Sequence, residues 1–320
     1  MIGVYACAGI FWKQLKEKNP DIIKENAIYY TFWLNYKTLA LLLNRKKLKQ
    51  AVIVSRIHGV DMFCERIPCE WHPFRRFMGN KLDNLIFVSN DGYNYYCERF
   101  MDGEKPDNFN ICRLGVEQKN SMNPENRSGI FRLVSCSHII NIKRINLIIE
   151  ALAILPKTKK IEWIHFGDGE LTAEMKELAC IKLTGKENIS YEFRGYVPNK
   201  ELLQFYRDTP VDCFITTSST EGLPVSIEEA LSFGIPIIGT DVGGISETIN
   251  ENGILLSSNP DIQEIGEAIL KIYDEPINKI RKYRENSYKI WERDFNSEKN
   301  NKNLRILLEG KINHASDAYI

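Results

Sequence analysis

The chain's 320 residues allow about two domains at roughly 100–200 residues each. An apolar fraction of 43% beside 26% charge describes a globular protein, and 42 basic residues against 42 acidic ones leave no global field to draw in nucleic acid or anionic lipid. Any anion must therefore be held by a local site, and no apolar run reaches the ~18 residues that a membrane span needs.

The opening stretch, Met1 to Phe11, is apolar but lacks a basic leader and a cleavage site, so it is not read as a signal peptide. Strand patterns follow at Ala27 to Thr31, Ala51 to Ile57, Asn84 to Ser89 and Asn108 to Leu114. Helical patterns cover Trp33 to Lys49 and Asp91 to Phe100. Glu117 to Ser128, polar and rich in Asn and Ser with Pro124, reads as a linker. Beyond it strands and helices alternate. The strands are Phe131 to Cys136, Ile161 to Phe166, Ile189 to Arg194, Val211 to Thr217 and Ile235 to Gly239. The helices are Asn146 to Leu155, Glu170 to Leu183, Lys200 to Arg207, Val225 to Phe233 and Asp261 to Tyr273. That order implies a parallel sheet with helices on both faces, a Rossmann-like domain. The tail, Ile277 to Leu308, reads as charged helix anchored by Trp291 and Phe295.

The eight cysteines are scattered, several within strand-like runs, which fits free thiols in a reducing cytosol better than a disulfide framework. Cys64, Cys69 and His72 have zinc-like residue types, but the spacing lacks a fourth ligand unless His58 joins, and structural zinc wants four in paired short spacings. Trp71, Phe74 and Phe77 interleave with Arg75, Arg76 and Lys81, either as a membrane-facing patch or as a helix with one buried aromatic face.

The most informative stretch runs from Ser218 to Glu247. It leaves a strand, passes a Glu221-Gly-Leu-Pro224 turn and enters a helix near Val225, with Pro224 close to the first helical position. The free N–H groups of that helix start would face the carboxyl edge of the sheet, where open α/β sheets bind ligands and a helix N-terminus can hold phosphate. Seven residues separate Glu221 from Glu229. One carboxylate can accept hydrogen bonds at the phosphate end of a ligand and the other farther along it.

These residues, with Phe233-Gly-Ile-Pro236 and Thr240-Asp-Val-Gly-Gly244, resemble the retaining glycosyltransferases of family 4, whose hallmark is Glu-x7-Glu. The resemblance implies a GT-B-like α/β fold, two Rossmann-like domains facing a cleft. It implies Glu221 on the donor sugar, Glu229 on the nucleotide ribose, and the backbone of Gly222, Leu223 and Val225 against the diphosphate or sugar. Lys143-Arg-Ile-Asn-Leu-Ile-Ile-Glu-Ala151 resembles the segment after the first donor-domain strand, which makes Lys143 the diphosphate cation. Where the family has an Arg five residues earlier, this chain has His138, and neighbouring Arg144 is the alternative second cation. Phe166-Gly-Asp-Gly169 matches a structural turn near the cleft, and Phe193-Arg-Gly-Tyr-Val197 the segment beside the base, giving Tyr196 and Val197. In the first domain Ser55-Arg-Ile-His-Gly-Val-Asp61 resembles the acceptor loop of capsule and lipopolysaccharide enzymes, with His58 reaching the cleft beside Arg56 and Asp61.

No strand, Gly-rich loop and helix precede Ala27, so the first domain is expected to be incomplete. The expected divisions are residues 1–117, acceptor side; 129–276, nucleotide-sugar donor side; and 277–310, helices returning to the first. The expected reaction moves a sugar from a nucleoside diphosphate sugar to a hydroxyl of a glycan or lipid-linked glycan. His58 and Glu221 stand as the catalytic candidates. No Asp-x-Asp motif is evident, so neither a metal nor another cofactor is required. A nucleotide-sugar-binding protein with little catalysis and a GT-B sugar-nucleotide epimerase are the alternatives. The expected place is the cytoplasm, with peripheral contact at the inner membrane face as an option.

Overall fold

The computed structural model describes residues 2–22, 27–48, 50–117 and 121–317. The chain divides into two compact units, Met1–Leu114 with Glu298–Ile320, and Gly115–Ser297. The expected boundary after residue 117 thus falls at Leu114, and the expected third segment divides at Ser297.

The first unit begins with a helix the sequence pattern had not marked, α1 (Ile2–Lys18). Then come β1 (Ile28–Thr31), α2 (Tyr36–Leu43), β2 (Val52–Ile57), the short α3 (Gly59–Met62), α4 (Arg75–Lys81), β3 (Asn84–Phe87), α5 (Asn90–Phe100) and β4 (Phe109–Ile111). All four strands are parallel, in the order β1-β2-β3-β4. The helix expected over Trp33 to Lys49 is shorter at both ends. Asn35 caps it by accepting from the Lys37 N–H at 2.9 Å, and Asn44 stops it, its side-chain amide donating to the Ala40 carbonyl at 3.0 Å. A 3-10 turn, Arg45–Lys47, follows, and Lys49 lies outside the described residues. The fourth strand is likewise shorter at both ends, and the Asn108 side chain before it is bound to the Gly79 and Leu82 carbonyls.

The second unit carries β5 (Phe131–Cys136), α6 (Ile145–Ile154), β6 (Ile161–Phe166), α7 (Thr172–Leu183), β7 (Ile189–Phe193), α8 (Asn199–Asp208), β8 (Cys213–Thr216), α9 (Val225–Ser232), β9 (Ile237–Thr240), β10 (Gly253–Leu256), α10 (Ile262–Asp274) and α11 (Ile277–Ile290). The alternation read from sequence is this order, with β10 added. The sheet is parallel throughout, ordered β10-β9-β8-β5-β6-β7. Its strands are buried on both faces. Leu133 of β5 and Ile215 of β8 join one core with Ile148 and Ile269, while Val134 and Phe214, one residue away, join the other with Ile227 and Trp291. The stretch 121–128, expected to belong to a linker, is fastened to the second unit at Asn123, which is buried, its amide donating to the Tyr206 and Thr209 carbonyls and accepting from the Val211 N–H at 2.8 Å.

A π-helical turn, Trp291–Phe295, buries both anticipated anchors in the second unit's core. The last helix, α12 (Ser297–Asp317), then packs Leu304, Leu307 and Leu308 on Val52, Val54 and Ile86 of the first sheet. Among the described residues no helix is long and apolar enough to cross a membrane. All eight cysteines are free thiols. His72 uses both ring nitrogens in hydrogen bonds, to the Phe63 carbonyl and with the Arg75 guanidinium, so it is a packing residue. Of the interleaved aromatics, Trp71 and Phe77 are exposed and Phe74 packs on the core.

His165 of β6 is fully buried and hydrogen-bonded at both nitrogens, to Ser135 Oγ at 2.8 Å and the Ser137 carbonyl at 3.2 Å. Since a carbonyl can only accept, the network places the proton on Nε2, and Nδ1 accepts from Ser135. Burial holds the imidazole down to about 4. The unfolded chain, with an ordinary imidazole near 6.5, takes up a proton that the folded chain refuses. Stability is therefore complete above about pH 6.5 and falls as the pH drops towards 4, by up to about 3 kcal/mol from this residue. Urea titrations between pH 7 and pH 4.5 should show a shallower loss in His165→Gln than in the parent chain; parallel curves would remove His165 as the acid-sensitive group.

Candidate active site

The chain passes from β5 outward to β6 and β7, then crosses back to β8, β9 and β10. The carboxyl ends of β5 and β8 therefore form a topological switch point, where open α/β sheets leave a crevice. A cavity of about 360 Å³ lies there, within the second unit. Its walls come from the end of β5 (Cys136) and the loop after it (Ser137, His138 and Lys143), the loops after β6 (Gly167, Asp168), β7 (Tyr196, Val197) and β8 (Glu221, Pro224), and the helical residues Asn199, Val225, Ser226 and Glu229.

Glycines let these loops close on one another. Gly167 has φ +125°, and a Cβ there would lie 2.0 Å from the Ser137 carbonyl oxygen. Gly243, φ +54°, is packed so that a Cβ would lie 1.8 Å from the Glu221 carbonyl oxygen. The Phe166-Gly-Asp-Gly169 turn is thus a fitted crossing that also lines the cavity, and the Gly243-Gly244 pair supports the Glu221 turn, with the Gly244 N–H donating to the Gly222 carbonyl at 2.7 Å.

Lys143 and Glu221 meet as an ion pair in this wall, both side chains largely buried, and Ser218 Oγ donates to Glu221 Oε1 at 2.7 Å. Immediately beyond, α9 starts at Val225 with Pro224 as its cap, a residue whose side chain makes no capping hydrogen bond. Positive partial charge at that helix start and the Lys143 ammonium lie along one wall. Glu229 stands one turn inside α9, buried, with its Oε1 accepting from Asn199 Nδ2 at 2.5 Å; burial pushes its carboxyl above the usual range, and the Asn199 bond works against that shift. Cys136 is held neutral, pushed up to about 12 by burial and then by the Glu229 charge, so it lines the cavity as an unreactive thiol.

Of the residues selected from sequence, Lys143, His138, Tyr196, Val197, Glu221, Val225 and Glu229 line this one cavity. Gly222 and Leu223 form the turn behind it. Arg144 is placed elsewhere. It adopts left-handed backbone, φ +50°, and its guanidinium is taken up by the Thr217, Ser218 and Ser258 carbonyls and Asn259 Oδ1, so it ties two loops together and leaves Lys143 as the cation of the cavity. His58 lies in the first unit, packed against both Phe32 and Trp33 with centroids 4.5 Å from each and its Nε2 bonded to the Phe32 carbonyl at 3.0 Å. Burial, then the Arg56 charge, hold it down to about 4, so near neutrality it is an uncharged imidazole whose Nδ1 is the acceptor nitrogen. Asp61 accepts from the His58 and Leu34 N–H groups and so shapes the loop. Sequence reasoning missed Asn199, whose signal, an Asn after Pro198 at a helix start, is no different from an ordinary cap.

The family model described as glycosyl transferases group 1 matches residues 118–290, and the chain belongs to that family. Among curated relatives, the amylovoran biosynthesis glycosyltransferase AmsK of Erwinia amylovora is 26% identical over 255 residues, 73% of this chain and 58% of AmsK. The O-antigen biosynthesis glycosyltransferase WbnH of Escherichia coli is 36% identical over 137 residues, 42% of this chain and 36% of WbnH. The chain therefore spans little more than half of the first relative's length and about a third of the second's. Among solved structures, the apo form of the lipopolysaccharide outer core galactosyltransferase WaaB has a TM-score of 0.69 at 18% identity, covering 98% of this chain and 79% of WaaB. HepE of Anabaena in complex with UDP-glucose has a TM-score of 0.69 at 16% identity, covering 93% and 82%. The two parallel α/β units are those of the GT-B fold.

Because Lys143 and Glu221 are buried together, removing one leaves the other charge out of water. Lys143→Met should destabilise the second unit by about 3 kcal/mol, and the double variant Lys143→Met with Glu221→Met by clearly less. Chemical denaturation of the single and double variants checks this; additive losses would show that the two charges are solvated independently.

Proposed function

We propose that the second unit binds a nucleoside diphosphate sugar across its cavity, and that the chain transfers the sugar to a hydroxyl of a glycan or lipid-linked glycan with retention at the anomeric carbon. The observation that carries this reading is the single wall on which Lys143, the start of α9 and two buried carboxylates, Glu221 and Glu229, succeed one another. A ligand lying along that wall meets positive potential in its middle and a hydrogen-bond acceptor at either end. A diphosphate between two polyhydroxy rings has that pattern.

In this mechanism the Lys143 ammonium exchanges part of its contact with Glu221 for the diphosphate, and with the α9 N–H groups it stabilises the charge that grows on the leaving group. Glu221, relieved of the full ion pair, accepts from donor-sugar hydroxyls and orients the ring. Glu229 accepts from the ribose, with Asn199 holding its carboxylate in place. Tyr196, Val197 and His138 face the base and flanking phosphate. The departing diphosphate oxygen takes the acceptor's proton on the face it leaves, so the configuration is kept. His58, neutral and with Nδ1 as an acceptor, is the first unit's candidate for holding another hydroxyl of the acceptor. The charge is met by Lys143 and α9, and the reading calls on no metal ion. The free thiols support a cytoplasmic place.

Glu229→Ala should weaken nucleoside diphosphate binding about 10- to 100-fold, since a charge-assisted hydrogen bond contributes about 1.5–3 kcal/mol. Calorimetry with UDP and with GDP on the parent and variant chains measures it. A folded Glu229→Ala chain with undiminished affinity would take the ribose role from Glu229.

A further inference from the structure

Strand β2 alternates its side chains, so Val52, Val54 and Arg56 share the sheet face on which α12 packs. Arg56 lies at the strand's carboxyl end and is 3% exposed. Its Nε has no hydrogen-bond partner, and its Nη2 reaches the Cys112 sulfur at 3.7 Å, a weak acceptor. Among the described residues no carboxylate pairs with it. The titratable groups that feel its charge are Tyr30, His58 and Cys112. None is anionic at neutral pH: burial raises the Tyr30 phenol and the Cys112 thiol, and His58 is an uncharged base.

Two further polar groups on this sheet are buried without partners. The Tyr30 hydroxyl is one, and both side-chain atoms of Asn84 are the other; Tyr30 and Asn84 flank Val54 in register on either side. A buried guanidinium without a counter-charge is costly to the fold, and buried polar atoms without hydrogen bonds add to that cost. Apart from Asn84 Oδ1, which accepts, the same atoms are donors: a planar fork from Arg56, a phenolic O–H and an amide NH₂. Arg56 stands near the carboxyl end of the central strand β2, the edge at which open α/β sheets take ligands, and Tyr30 and Asn84 lie one pleat back on the same face, level with Val54.

We infer that the first unit holds an anion-recognition site in which Arg56, with Tyr30 and Asn84, binds a small oxyanion, a carboxylate or a phosphate ester, carried by the acceptor. That the anion belongs to the acceptor rests on the transferase reading above; that the site takes an anion does not. The acceptor class is thereby narrowed to acidic glycans, either uronic acids or sugar phosphates. Arg56 is a specificity residue here, since it grips a substituent and not the reacting hydroxyl.

The full chain is titrated at constant ionic strength with glucuronate, glucose 6-phosphate and glucose, binding being read by ligand-detected magnetic resonance. Glucuronate or glucose 6-phosphate should bind, glucose at least about tenfold more weakly, and Arg56→Met should lose that preference. Glucuronate alone would identify the carboxylate as the source, and glucose 6-phosphate alone the phosphate. Should Arg56→Met fail to fold, Arg56→Lys keeps the charge without the fork and should still bind the acid about tenfold more weakly than the parent. Two further arms separate this site from the donor cavity: Lys143→Met should keep Arg56-dependent acid binding while losing UDP, and Arg56→Met should keep UDP. Equal binding of acid and neutral sugar by the parent chain, or undiminished acid binding in Arg56→Met, overturns the inference. Loss of the UDP arm alone counts against the donor reading instead.

Discussion

Two opposite charges withdrawn from water at the carboxyl edge of one sheet organise the second unit. Lys143 comes from the loop after β5 and Glu221 from the loop after β8, so their pairing joins the two strands at which the chain reverses direction across the sheet. Each loop is packed closely against a further neighbour. The backbone crossings at Gly167 and Gly243 leave no room for a Cβ, and Arg144 ties the β5 loop to three carbonyls of its neighbours. The ion pair also sets a threshold: a ligand that would engage the ammonium must offer more than the carboxylate it partly displaces. A dianionic group beside a helix start can do so, and a neutral sugar cannot.

Adjacent carboxylates in α9 have opposite tasks because a helix turns by about 100° per residue. Glu229 faces the cavity with Asn199. Glu228, fully buried, faces the other way and accepts from the Gly115 N–H at 3.1 Å, holding the entrance of the chain into the unit. Around them, groups that could compete chemically are kept uncharged by burial: the Cys136 thiol and the His165 imidazole. The polar character of the cavity therefore rests on few groups.

Much of this was legible from residue order, and the exceptions have physical causes. The β5 to α10 alternation could be read because strands buried on both faces form apolar runs such as Val211 to Thr217, and because Pro224 and Asp261 mark helix starts. Glu221, Glu229 and Lys143 could be selected because a local motif fixes their positions relative to the turn and helix that carry them. Arg144 could not be separated from Lys143 by sequence, since the difference lies in a left-handed residue that swings the guanidinium towards the loop after β10. Asn199 and Asn123 act through hydrogen bonds to residues 30 and more than 80 positions away, and no local spacing records such bonds. The missing α1 is of another kind: its apolar residues are spread around the helix, many of them exposed, so no stripe announces it.

The first unit is discontinuous in the chain, and this bears on how it is made. Val52, Val54 and Ile86 appear early during synthesis, yet the leucines of α12 that cover them come more than 200 residues later. The whole second unit, Gly115–Ser297, is translated in between and can bury its own two cores before α12 leaves the ribosome. During that interval the apolar face of the first sheet is uncovered, a surface for holding factors in the cell to shield. The amino-terminal unit therefore cannot be completed before α12 has been made.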